Sequence, residues 1–68
     1  MNDDDEVPSD EFTDLSAAVS ATIEYALRHP SNSRSVRVIQ NRGSGLYRLM
    51  LTPPTAEDGM NEEVYRIP

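Results

Sequence analysis

The sequence predicts an α+β domain in which one N-terminal amphipathic helix packs across a three-stranded antiparallel sheet, an α-β-β-β meander in two layers. Three observations carry that expectation. Ser9 to His29 is the only stretch with sustained helical periodicity, two β-rich runs follow it around a glycine-containing turn, and a third short β-like run precedes the C-terminal Pro68.

In the helix, Phe12, Leu15, Val19, Ile23 and Leu27 recur at intervals of three and four, with Ala26 beside them, which predicts one buried stripe. Ser9 is placed to cap the first turn, and Asp10, Glu11 and Asp14 put negative charge at the positive pole of the helix dipole. Arg28 and His29 suit the other pole, and Pro30 disfavours helical geometry at His29, so the helix should end near Arg28. The predicted outer face holds Asp14, Ala17, Ala21, Glu24 and Arg28. Ala17, Ala18 and Ala21 cover the rod thinly enough for another surface to approach its backbone.

After a loop of turn formers, Pro30 to Arg34, two strands are expected at Ser35–Gln40 and Leu46–Thr52, joined as a hairpin by Asn41-Arg42-Gly43-Ser44-Gly45. Alternation puts Val36 and Val38 on one face with Tyr47, Leu49 and Leu51. Arg37, Ile39, Leu46, Arg48 and Met50 then form a mixed apolar and cationic surface behind. Pro53-Pro54 ends the second strand, Asp58-Gly59 offers a turn, and Glu63–Ile67 is expected as an edge strand beside the second. Residues 1–8, MNDDDEVP, read as a disordered acidic arm, leaving residues 9–68 as the single small domain.

Charge is segregated along the chain. Residues 1–24 hold eight acids and no base, residues 25–56 five arginines and no acid, and residues 57–68 four acids against Arg66, for a net charge of -6. That total argues against direct nucleic-acid binding, which draws its affinity from neutralising phosphates. All six cations are arginine, consistent with a GC-rich genome or a salt-adapted proteome. There is no cysteine for a disulfide, one histidine is too few for a zinc staple, and no run spans a bilayer, so a cytoplasmic protein is expected, in the host cytoplasm if phage-encoded. A core this small is marginal unless a partner or a second copy adds to it.

Catalytic machinery is not evident. Neither cysteine nor lysine is present for covalent attack, and His29 at a helix end reads as a solvated, dipole-stabilised imidazole. Gly43-Ser44-Gly45 lies between strands, where a phosphate loop would open a helix. The acidic arm lacks the glycine and distal glutamate of a calcium loop, and no cofactor is implied. Two binding surfaces remain: the apolar cluster Ile39, Leu46 and Met50, and the acids Asp10, Glu11, Asp14, Glu24, Glu57, Asp58, Glu62 and Glu63. Carboxylates on a rigid helix can match the spacing of phosphates along a duplex strand, about 3.4 Å per step, and so occupy a basic nucleic-acid channel. In size and charge the chain resembles the small acidic inhibitors of phages, including anti-CRISPR proteins, a likeness of class that covers no motif. The expectation is a non-enzymatic nucleic-acid mimic whose partner is a basic protein or nucleoprotein complex. The alternatives are a structural or regulatory homo-oligomer, with a homodimer as its simplest form, and a salt-adapted acidic protein of ordinary role.

Overall fold

The structure, a computed structural model, describes residues 7–55, 57 and 59–68. Helix α1 (Leu15–Arg28) is followed by a 3-10 turn at Pro30–Asn32 and by strands β1 (Arg37–Asn41), β2 (Tyr47–Met50) and β3 (Asn61–Arg66). One helix and a three-stranded antiparallel sheet make the expected α+β architecture.

The hairpin of β1 and β2 forms with Val38 opposite Leu49 and Gln40 opposite Tyr47, the facing that residue alternation requires. Its turn is held by Asn41, whose Oδ1 accepts hydrogen bonds from the backbone N–H groups of Gly43 (2.8 Å) and Ser44 (3.0 Å). Gly45 closes it at φ 77°, in the left-handed region where a side chain is strained.

The third strand departs from the meander. The sheet order is β2-β1-β3, so β3 pairs antiparallel with β1, and the connection through Pro53-Pro54 carries the chain to the far edge. Charge accounts for the choice. Beside β1, Glu63 meets Arg37 and Glu62 meets Arg42, whereas the outer edge of β2 is already engaged by Phe12. A bulge between Val38 and Ile39 leaves Val64 as the extra residue of β3, with Tyr65 opposite Val38 and Glu63 opposite Ile39.

The helix begins later than its sequence predicts. Its N-cap is Asp14, whose side chain makes no capping hydrogen bond, and no acid lies in the first turn. Residues 9–11 have no helical structure, and Phe12 forms a bridge with Tyr47 in which each N–H donates to the other's carbonyl, at 2.8 and 2.9 Å. Two backbone bonds to a waiting sheet edge, and burial of the phenyl ring against the core, outweigh one more turn of helix. The other end falls at Arg28, as expected.

The helix is also rotated about its axis. Leu15, Ile23 and Leu27 are exposed, at 39, 45 and 77 %, and Val19 and Ala26 are only half-buried. The side chains that face the sheet are Ala18, Thr22 and Tyr25, on a stripe roughly a quarter-turn away. Tyr25 sets this rotation. Its ring joins Val36 and Leu49 in the core, its hydroxyl accepts a hydrogen bond from Asn32 Nδ2 at 3.1 Å, and its face stacks on His29 with centroids 4.4 Å apart. Burying a tyrosine with a satisfied hydroxyl uses the largest apolar body on this helix, and Ala18 lets the backbone come close to the sheet. The thinly covered alanine side is therefore approached by the chain's own sheet: Ala18 is fully buried and Ala21 half-buried, while Ala17 stays exposed. Val7, Phe12, Leu51 and Ile67 complete the core from the periphery.

Thr22 is fully buried with its hydroxyl donating to the carbonyl oxygen of Ala18 at 2.8 Å. That oxygen already serves the helix ladder, so the bond back along the helix adds little. Thr22→Val, which keeps the shape and removes the hydroxyl, is expected to change unfolding free energy by less than about 1 kcal/mol in a urea titration. A larger loss would show that the hydroxyl anchors this face.

Candidate functional site

Eight carboxylates are the residues from which the sequence builds a partner-binding array, and the structure sorts six of them into two classes, with Glu57 exposed in a connection and Asp58 outside the described residues. Glu24, Glu62 and Glu63 answer arginines of their own chain. Glu24 lies 3.9 Å from Arg28, one turn along the helix, in an exposed pair. Both Nε and Nη2 of Arg42 donate to Glu62 Oε1, at 3.0 and 2.8 Å, tying the hairpin turn to the start of β3. Exposed pairs of this kind contribute about 0–1 kcal/mol each.

Glu63 has a heavier structural role. Its Oε1 accepts from Arg37 Nη1 at 3.0 Å, and its Oε2 lies 3.7 Å from Arg66 Nε. Arg37 is 7 % exposed, and its Nε donates to the carbonyl of Ser35 at 3.0 Å. The guanidinium is thus enclosed behind the sheet and needs Glu63 as its counter-charge.

Asp10, Glu11 and Asp14 form the second class. All three are exposed, and none has an ion-pair partner among the described residues. They stand in the extended segment and at the cap that precede α1, so only Glu24 of the eight lies within the helix. The expected rod of helical carboxylates is therefore absent, because the segment that would have carried it is bound to the edge of β2. Glu57 is exposed in the connection between β2 and β3, and Asp58 lies outside the described residues.

The apolar cluster expected behind the sheet is closed. Ile39 is 2 % exposed, and Leu46 and Met50 are half-buried, so these three offer no open patch. Arg48 remains the exposed member of that face. The exposed apolar groups lie instead on α1, at Leu15, Ile23 and Leu27, with Met60 apart from them. Sequence reasoning assigned those helical residues to the core. The signal against it was Tyr25, whose size and hydroxyl favour a helix face with a polar neighbour such as Asn32 to receive it.

An open cleft of about 780 Å³ runs between the N-terminal segment and β2, lined by Val7, Pro8, Ser9, Arg48, Leu49, Met50 and Leu51. Among the described residues that line it, Arg48 is the sole charged side chain. Among the described residues no group of three or more His, Asp or Glu is placed to hold a metal ion, and no helix is long and apolar enough to cross a membrane. Comparison with family models, with curated proteins and with solved structures gives no match for this chain.

Proposed function

We propose that this chain is a non-enzymatic binding protein whose acidic N-terminal segment occupies a basic site on a partner protein or nucleoprotein complex, of the kind that otherwise holds nucleic acid. One observation carries the reading. Glu62 and Glu63 are balanced by arginines, while Asp10, Glu11 and Asp14 stand exposed together with no ion-pair partner among the described residues. Asp3, Asp4, Asp5 and Glu6 extend the same run in the sequence. A cluster of one sign draws a basic partner by long-range attraction and raises the association rate, an effect that salt screens.

The test is affinity capture from cell extract with the full chain and with an Asp10→Lys/Glu11→Lys/Asp14→Lys variant. This substitution leaves the structural pairs of Glu62 and Glu63 intact. The expected result is a basic nucleic-acid-handling partner that binds the parent chain and releases its oligonucleotide. Affinity for the variant should be weaker by roughly tenfold or more, corresponding to about 1.4 kcal/mol. Undiminished binding of the variant would overturn the proposal.

A further inference from the structure

We propose that α1 is a self-association surface on which two copies of this chain pair antiparallel through Leu15, Val19, Ile23 and Leu27. The four residues recur every four positions and so form one ridge, about 18 Å long at 1.5 Å per residue. Rotation of the helix toward Tyr25 leaves Leu15, Ile23 and Leu27 of this ridge exposed, with Leu27 the most open at 77 % and Val19 half-buried between them. Isolated apolar groups on a surface need no partner, but a continuous row along one helix marks an interaction site.

Two features select a second copy as the occupant. The first is charge. From Leu15 to Ile23 the helix carries no charged residue, so the ridge itself offers nothing to a charged groove. The charges stand toward the two ends and differ in net sign: Asp10, Glu11 and Asp14 precede the helix, while at its close Glu24 is paired with Arg28 and Arg34 follows. Two antiparallel copies bring the acidic end of each toward the basic end of the other, whereas a parallel pair would set acid against acid. The helix dipoles favour the same arrangement.

The second feature is self-matching. A two-fold axis beside Ala21 sets Leu15 against Leu27 of the second copy and Val19 against Ile23, so each bulky group meets one of similar size. Ser16 and Ser20 flank the ridge with small side chains that allow close approach. Ridges of i, i+4 spacing interlock at a crossing angle near about −50°. The pairing also adds apolar burial to a domain whose own core is small.

Sedimentation equilibrium of the full chain, taken into the millimolar range, tests the proposal. The expected result is a concentration-dependent species of twice the 7.6 kDa chain mass. Ile23→Gln/Leu27→Gln, and Leu27→Gln alone, should weaken association while leaving the circular dichroism spectrum unchanged, because these side chains are exposed in the single chain. The absence of native cysteine permits a geometric check. In an oxidised mixture of Val19→Cys and Ile23→Cys chains, disulfides should join unlike chains in preference to like ones. A single 7.6 kDa species at millimolar concentration, association undiminished in folded Leu27→Gln, or a predominance of like-chain disulfides would each overturn it.

Discussion

Leu49→Ala is expected to destabilise the domain by about 2–5 kcal/mol, and Leu27→Ala by no more than about 0.5 kcal/mol, although both replace leucine by alanine. Leu49 is 3 % exposed and packs with Tyr25 and Val36, so its truncation leaves a cavity bounded by a helix and two strands. Leu27 is 77 % exposed and loses few contacts in the single chain. A domain of this length has total stability on the order of 3–10 kcal/mol, so the first substitution should leave much of the population unfolded at physiological temperature. Urea unfolding at a concentration low enough to keep the chains apart measures both. The opposite ranking, with Leu27 the costlier site, would mean that the helix is packed on its leucine stripe after all.

Glu63→Ala is expected to cost about 1–3 kcal/mol, more than any other single carboxylate among the described residues, because it strands the enclosed guanidinium of Arg37. The range is set below that of a fully buried pair because the Glu63 side chain is 32 % exposed and admits some water. Arg37→Met removes the charge that needs compensation and keeps the long apolar stem, so it should be near neutral. Arg37→Met/Glu63→Ala should be more stable than Glu63→Ala alone. A double-mutant cycle by thermal or urea unfolding reads the coupling directly. Additive effects would show that the two residues merely lie side by side. Truncation of Glu62, in its exposed pair with Arg42, should fall within about 1 kcal/mol of the parent.

The contrast between Glu62 and Glu63 shows what residue type alone conceals. In the sequence they are adjacent acids in a charged run, and both belong to the predicted binding array. Alternation along β3 then sends one to each face of the sheet, and the bulge at Val64 aligns Glu63 with the arginine behind β1. Glu62 and Glu63 become structural partners only once β3 lies beside β1, with Glu62 twenty residues from Arg42 and Glu63 twenty-six from Arg37.

Local chemistry determined a good deal of this protein. The hairpin turn, the facing of Val38 on Leu49, the end of α1 before Pro30 and the α+β class follow from glycine and asparagine conformation, two-residue alternation and the missing N–H of proline. These act over a few residues and are written in sequence order. The start of α1, its rotation and the sheet order were decided only by the tertiary structure. A helix of 14 residues gains more from the surface it packs on than from its own periodicity. The edge of β2 drew Phe12 out of the helix, the core drew Tyr25 in place of the leucine stripe, and Arg37 and Arg42 drew β3 to the far side of β1. Each outcome is a competition between long-range contacts, so it depends on where distant residues lie and not on their spacing along the chain.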